Sequence, residues 1–139
     1  MTPSRRYLDE SLEFAQRNAD RWSAAMSLAL LGHVELGAGD VDAARRCFDH
    51  ATRLFDEIGN LLYVAVCLEG QAGVAADAGE PERAAELIGA REAAATSGGN
   101  QVPLMYPARY ERTVEKARAA LSAEAFEDAC ARGRGRAAP

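Results

Sequence analysis

The chain repeats part of its own sequence after forty residues. The segment Leu31–Ala51 is echoed by Gln71–Arg91, and the matching positions are mostly glycines at turns and small or apolar residues at helical spacing. The matches include Ala25 with Ala65, Leu28 with Leu68, Val34 with Val74, Gly39 with Gly79, Ala44 with Ala84, and Gly59-Asn60 with Gly99-Asn100. A fixed period between about 20 and 50 residues is typical of solenoid proteins, in which one small unit stacks on the next. The repeat therefore predicts a duplicated structural unit.

Each period contains the pattern of two helices. In the second helix of the first period, apolar residues recur every three or four positions, at Val41, Ala44, Phe48, Ala51, Phe55 and Ile58. Asp40 is the expected N-cap of this helix, and Gly59 is the expected left-handed residue at its end. Pro81 favours a helix start in the next period, because the first turn of a helix does not need its N–H.

The first helix of each period is apolar on nearly every side. These segments, Trp22–Leu36 and Leu61–Ala76, fit inner helices that are covered by their neighbours. The run Leu61–Leu68 alone is also compatible with a buried strand, because periodicity does not separate the two structures for a short apolar run. Its alignment with Arg21–Leu28, a poor strand sequence, favours a helix. Arg91 is a charged residue at a small-residue position of the repeat, which indicates that the array changes character there.

Composition favours a helical, globular chain and argues against several classes of partner. Of 139 residues, 48% are hydrophobic and only 6% are aromatic, and alanine is abundant, which favours helix over strand. The net charge is −5, so a phosphate-backbone binder is not expected, and no apolar run is long enough to span a membrane. Cys47, Cys67 and Cys130 have no CxxC spacing and are expected to be reduced, as in a cytoplasmic protein. The sequence RGRGR, Arg132–Arg136, is expected to be a solvated tail.

The large and small residues of the first period resemble a tetratricopeptide repeat. The residues that carry this resemblance are Leu28, Leu31-Gly32, Ala44, Phe48 and Ala51. Glu35 stands at a position that is usually aromatic in that family. The resemblance implies helical hairpins that stack into a curved array and bind a partner on the concave side, which the inner helices line.

Nearly the full length of the chain is also similar to a narrower group, most specifically in the part after Asn100. The segments GEPERAAELIGAREAA, from Gly79, and VPLMYPARYERTVEKARAALSAEAFEDACARGR, from Val102, resemble the tetratricopeptide-like C-terminal region of large actinobacterial ATPase-linked transcriptional regulators, including LuxR-type members. The resemblance implies that the repeats hold a partner while other domains carry the ATPase and DNA-binding activities. The chain has no GxxxxGK(S/T) phosphate loop and no helix-turn-helix segment after Arg136, so neither activity is expected of it.

These observations predict an all-α, single-domain, tetratricopeptide-like helical-hairpin solenoid of about seven helices. Residues 1–100 would hold a half repeat at 4–19 and two full repeats at 20–59 and 60–99. A C-terminal helical module would follow at 101–132, and residues 133–139 would form a flexible tail.

The predicted function is a non-catalytic protein–protein interaction module of a regulatory or signal-transduction protein, such as a transcriptional regulator. Six inner-helix residues are expected to face the concave groove: Met26, Leu30, His33, Glu69, Gly73 and Asp77. The groove would suit an amphipathic or basic peptide, another domain of a parent regulator, or this chain's own C-terminal module, and His33 would be able to change its charge near neutral pH. Four residues of the half repeat are expected to be uncovered and to support self-association into a homodimer: Tyr7, Leu8, Leu12 and Phe14.

An alternative function is a small-ligand sensor. Its apolar cavity would lie between helices near Trp22, Met26, Tyr63 and Met105. An enzyme is the weakest possibility, because Cys47 and His50 share a helix face but lack the further residues that a metal site or a nucleophile–base pair needs. The sequence therefore predicts no catalytic residue, metal, cofactor, nucleic-acid partner or membrane association.

Overall fold

The computed structural model describes residues 3–96 and 102–137, and this part of the chain forms seven α-helices and no strand. The helices are α1 (Pro3–Arg17), α2 (Arg21–Gly37), α3 (Val41–Ile58), α4 (Leu61–Asp77), α5 (Pro81–Ala95), α6 (Pro107–Ala120) and α7 (Ala123–Ala137). The prediction of an all-α chain with about seven helices is confirmed, and so is the helical interpretation of Leu61–Leu68. The predicted boundary between the last repeat and the C-terminal module, at residues 99–101, lies outside the described residues.

Helices α2 to α5 begin at regular intervals of twenty residues, at positions 21, 41, 61 and 81. The turn before each of these helices contains one residue with a positive φ angle: Ala19 at 53°, Gly39 at 86°, Gly59 at 81° and Gly79 at 76°. Glycine adopts this left-handed region readily because it has no Cβ, whereas alanine meets steric repulsion there. Among the described residues, Ala19 is the only non-glycine with a positive φ. The forty-residue sequence repeat therefore consists of two twenty-residue helix–turn units.

Acidic residues cap α2 and α3 directly after the left-handed residue. The Asp40 carboxylate accepts a hydrogen bond from the backbone N–H of Ala43 at 3.1 Å, which confirms Asp40 as the N-cap of α3. The Asp20 carboxylate accepts hydrogen bonds from the N–H of Ser23 at 3.0 Å and from its hydroxyl at 2.7 Å. These bonds favour the ionised carboxylate and lower the pKa of Asp20. Each cap satisfies an amide that the first turn of a helix leaves free.

Met1–Leu61 forms a first compact unit, in which α2 packs against both α1 and α3. Phe48 of α3 is fully buried. Gly32 of α2 lies so close to the Phe48 ring that an added Cβ would be 2.8 Å from it, and a larger residue would force the ring or the helix to move. Glu35, at the position that is usually aromatic, forms an ion pair with Arg5 and so links α2 to α1.

Leu62–Pro139 forms a second compact unit, whose described part contains α4 to α7. One apolar core joins these helices and consists of Ala72, Ala75, Ala76, Ala84, Ala85, Leu87, Ile88, Ala117, Phe126, Ala129 and Cys130. Seven of these eleven residues are alanines, which allow helices to approach closely. The C-terminal helices α6 and α7 therefore share a core with α4 and α5.

Helices α5 and α7 approach each other closely at two glycines. A Cβ added at Gly89 would lie 1.9 Å from the carbonyl oxygen of Cys130, and a Cβ added at Gly133 would lie 1.8 Å from that of Glu86. Side chains other than hydrogen do not fit where two backbones are this close. Gly133 therefore has a packing role within a helix that continues to Ala137.

The tail predicted at residues 133–139 is helical as far as Ala137, and residues 138–139 lie outside the described part of the chain. The arginines of RGRGR contact glutamates of α5: Arg132 with Glu82 and Glu86 at 3.4 Å, Arg134 with Glu92 at 3.2 Å, and Arg136 with Glu86 at 2.7 Å. This segment is therefore not a solvated tail. Gly133 lets α7 approach α5, and the arginines beside it and beside Gly135 reach the carboxylates of that helix.

Candidate functional site

Glu69 of α4 is a buried acidic residue whose partners come from a later part of the chain. It is 4% exposed. One of its carboxylate oxygens accepts a hydrogen bond from the backbone N–H of Met105 and the other from the backbone N–H of Tyr106, both at 2.8 Å. Hydrogen bonds to an ionised carboxylate are stronger than those between neutral groups. They compensate for the burial of the charge, since an unpaired buried charge is strongly unfavourable.

One of these two hydrogen bonds lies at the N-terminus of α6. Tyr106 is the N-cap residue of this helix, and its own side chain makes no capping hydrogen bond. Glu69 therefore supplies from α4 the bond to the N-cap N–H that a glutamate at the third helical position makes in a capping box. Its negative charge is also favourable there, because the N-terminal end of a helix dipole is positive.

Arg91 of α5 holds the other end of the same segment. Its guanidinium donates a hydrogen bond to the carbonyl oxygen of Val102 at 2.5 Å, and the N–H of Val102 donates to the carbonyl oxygen of Ala95 at 3.0 Å. We call the segment Val102–Tyr106 the strap. The strap is therefore bound at both ends through its own backbone atoms. None of its five side chains is buried.

Two buried polar atoms at this site have no hydrogen-bond partner among the described residues. They are Nε of Arg91 and the hydroxyl of Tyr110 in the first turn of α6. The Arg91 guanidinium lies 5.9 Å from the centroid of the Tyr110 ring. Burial raises the pKa of Tyr110 to about 12, although the positive charge of Arg91 opposes this shift. The phenol is therefore a protonated donor at neutral pH.

The three predicted groove residues of α4 are used within their own unit. Glu69 binds the strap, and Asp77, which is exposed, pairs with Lys116 of α6 at 3.2 Å. Gly73 is buried. The C-terminal segment of this chain therefore occupies two of the three positions, and the third offers no surface to another molecule.

The predicted groove residues of α2 differ in exposure. His33 is 1% exposed, and its ring packs edge-on against Phe48 with 4.8 Å between the ring centroids. Met26 and Leu30 are half-buried. The expectation that His33 faces a partner is therefore corrected: the imidazole is a core side chain, because the space opposite it is filled by the Phe48 ring.

The residues predicted to support self-association separate into two pairs. Tyr7 and Phe14 are 69% and 68% exposed, whereas Leu8 and Leu12 are half-buried. Tyr7 and Phe14 are two helical turns apart and so lie on the same face of α1. A shallow depression on the surface is lined by both aromatics together with Glu10, Ser11, Ala15, Asp20, Ser23 and Ser27. We call this surface the α1 face.

Cys47 and His50, the pair that the sequence offered for chemistry, both lie on α3. Burial, with a smaller contribution from the Glu35 carboxylate, raises the pKa of Cys47 and so favours the less reactive thiol. His50 is half-buried. Within residues 3–96 and 102–137, no three His, Cys, Asp or Glu side chains are grouped so that they could hold a metal ion.

The four residues predicted to enclose a ligand cavity all retain contact with solvent. Trp22 and Met105 are 42% and 40% exposed, and Met26 and Tyr63 are half-buried. In the part of the chain that the structure describes, no helix has both the length and the apolar character needed to cross a membrane.

Comparison with known proteins identifies no relative of this chain. No protein-family model matches it, and neither a curated protein nor a solved structure is significantly similar to it. The resemblances to tetratricopeptide repeats and to the actinobacterial regulators therefore stay predictions.

Two residues of the strap site were not predicted as functional. Arg91 gave a signal, because it is a charged residue at a small-residue position of the repeat. Tyr110 gave none, since an aromatic residue near the start of an amphipathic helix is compatible with ordinary packing.

Proposed function

We propose that this chain is a non-catalytic protein-interaction module of a regulatory or signal-transduction protein, built as a tetratricopeptide-like helical-hairpin solenoid. The solenoid is supported by the twenty-residue register of α2 to α5 and by the left-handed residue in the turn before each helix. The interaction role is supported by the α1 face.

The exposed pair Tyr7 and Phe14 is the observation that carries the proposal. Both side chains are more than two-thirds exposed, whereas Phe48 and Phe55 in the same unit are fully buried. Scattered single apolar residues are normal on protein surfaces, but two aromatic residues on one helix face form a patch. Aromatic residues are enriched in interfaces because they bury a large area and have few rotatable bonds.

A second copy of the chain is the partner that we propose for the α1 face. Because Tyr7 and Phe14 are two turns apart, antiparallel pairing of two α1 helices would place Tyr7 of one copy against Phe14 of the other, and the reverse. Such a contact is isologous, since the same patch is used on both copies. Pairing would remove both aromatic side chains from water at the same time.

Sedimentation equilibrium over a range of concentrations tests this proposal. The wild-type chain should associate reversibly, and a variant carrying both Tyr7→Glu and Phe14→Glu should be monomeric with unchanged helix content. The matched control is Ile58→Glu, which removes an apolar side chain that is 37% exposed on α3 of the same unit and should leave association unchanged. A wild-type chain that is still monomeric at about 1 mM would contradict the proposed dimer. Undiminished association of the double variant would contradict the assignment of the α1 face.

A further inference from the structure

We infer that Glu69 and Arg91 form a binding site for the backbone of a polypeptide segment, and that the strap occupies this site as an internal, displaceable ligand. The inference concerns only the second unit and goes beyond the interaction role proposed for the α1 face. The partner would be a peptide segment from another protein that presents the same backbone groups as Val102–Tyr106.

The contacts that hold the strap do not depend on its side chains. Glu69 accepts hydrogen bonds from two consecutive backbone N–H groups, and Arg91 donates to a backbone carbonyl three residues before the first of them. All residues except proline carry both of these backbone groups. A different segment can therefore make the same three hydrogen bonds, provided that it has no proline at the two donor positions.

The strap lies on the surface of its unit and contributes no residue to the buried core. Pro103 and Met105 are exposed, and the other three residues of the strap are half-buried. By contrast, α5 and α7 are held together by the close backbone contacts at Gly89 and Gly133. Release of the strap alone would therefore leave the apolar core of the second unit in place.

The site keeps unsatisfied hydrogen-bonding capacity while the strap is bound. Nε of Arg91 and the hydroxyl of Tyr110 are buried donors without a partner among the described residues. An unpaired buried donor is unfavourable, so a segment that also brings an oxygen acceptor to these atoms would have an advantage over the strap. Glu69, for its part, would be left without its two donors if nothing replaced the strap, which favours exchange of one segment for another.

Fluorescence anisotropy with a labelled peptide of the strap sequence, VPLMYP, tests the inference on the full chain. Met105→Pro removes one N–H donor of the strap and leaves Glu69 and Arg91 intact. This variant should bind the peptide at least about tenfold more tightly than the wild-type chain, because its internal ligand is weakened. Adding Glu69→Gln to Met105→Pro should abolish binding. Met105→Ala is the matched control: it keeps the backbone N–H and should behave as wild type.

Two results would overturn the inference. One is the absence of saturable binding to a folded Met105→Pro chain at peptide concentrations up to about 1 mM. The other is binding that persists after Glu69→Gln. If Met105→Pro does not fold, hydrogen exchange of the wild-type chain decides: the amides of Met105 and Tyr106 should exchange faster than the amides of α5 and α7. Exchange of the strap amides only at the rate of global unfolding would show that the strap is a permanent part of the fold.

Discussion

The left-handed turns allow a test in which one chemical change has opposite effects at two positions. Gly39 has a φ of 86°, and a Cβ added there would have no atom within 4 Å. Gly135 lies in α7, outside the left-handed region, and a Cβ added there would also have no atom within 4 Å. Replacement of either glycine by alanine therefore changes the backbone preference and introduces no steric contact with a neighbour.

The expected magnitudes follow from the two backbone conformations. A Cβ in the left-handed region destabilises the folded chain by roughly 1–2 kcal/mol. Gly→Ala also reduces the conformational freedom of the unfolded chain, which stabilises the folded chain by roughly 0.4–1 kcal/mol. From the midpoints of these ranges, Gly39→Ala should lower the free energy of unfolding by about 0.8 kcal/mol. In a helix, alanine is preferred to glycine by up to about 1 kcal/mol, so Gly135→Ala should raise the free energy of unfolding. Ala19→Gly is the reverse of the first change and should also be stabilising.

Urea denaturation followed by far-ultraviolet circular dichroism measures these differences as shifts in the midpoint at an unchanged slope. A neutral or stabilising Gly39→Ala would contradict the left-handed turn at position 39. Equal destabilisation by Gly39→Ala and Gly135→Ala would show that the effect does not come from the φ angle.

Three further predictions concern the second unit. Glu69→Gln should lower the free energy of unfolding by roughly 1–3 kcal/mol, because the amide group of glutamine places a donor opposite one of the two strap N–H groups. Asp77→Asn, at an exposed ion pair, should change the free energy of unfolding by less than about 1 kcal/mol in the same urea titration. Gly133→Ala should be destabilising by roughly 1–3 kcal/mol or more, since the new Cβ would lie 1.8 Å from the Glu86 carbonyl oxygen, whereas Gly135→Ala, two residues later, should not. Because burial raises the pKa of Tyr110 from 10.0 to about 12, the folded chain keeps a proton that the unfolded chain loses in this range. The free energy of unfolding should therefore fall as pH rises between these two values, and Tyr110→Phe should reduce the slope.

Each of these predictions has a result that would contradict it. Equal effects of Glu69→Gln and Asp77→Asn would remove the special role of the buried carboxylate. A stable Gly133→Ala chain would show that α5 and α7 are farther apart than described. A Tyr110 phenol that ionises with the ordinary value in an absorbance titration would contradict its burial.

The helices and their turns could be predicted from the sequence because their determinants are close together in the chain. Asp40 caps α3 by binding the amide of Ala43, three residues later, and Gly59 adopts the left-handed conformation at the end of the same helix. Pro81 lies in the first turn of α5. Ala19 was not recognised as a turn residue, because alanine is a poor indicator of a left-handed conformation.

The contacts of the second unit could not be predicted, because their partners are far apart and partly lack side-chain signals. Glu69 binds backbone amides 36 and 37 residues later, and every residue other than proline has such an amide. The arginines of RGRGR pair with glutamates 42 to 50 residues earlier. Composition alone favours a solvated tail for such a sequence. The packing role of Gly133 depends on the carbonyl of Glu86 and is visible only when both helices are placed.

His33 shows the same limit for a polar residue on an apolar helix. Its spacing on α2 is compatible with a face that binds a partner and also with the core. The position of the Phe48 ring, 4.8 Å away between centroids, decides between the two, and it depends on how α2 and α3 pack.

The hydrogen bonds between Glu69 and the strap can be detected most directly through the amide proton resonances of Met105 and Tyr106. In the wild-type chain both protons should resonate downfield of ordinary amides, because each donates to an ionised carboxylate. In Glu69→Gln both resonances should move upfield, while those of the α5–α7 contact stay in place. Unchanged positions for Met105 and Tyr106 in this variant would show that the carboxylate does not bind the strap.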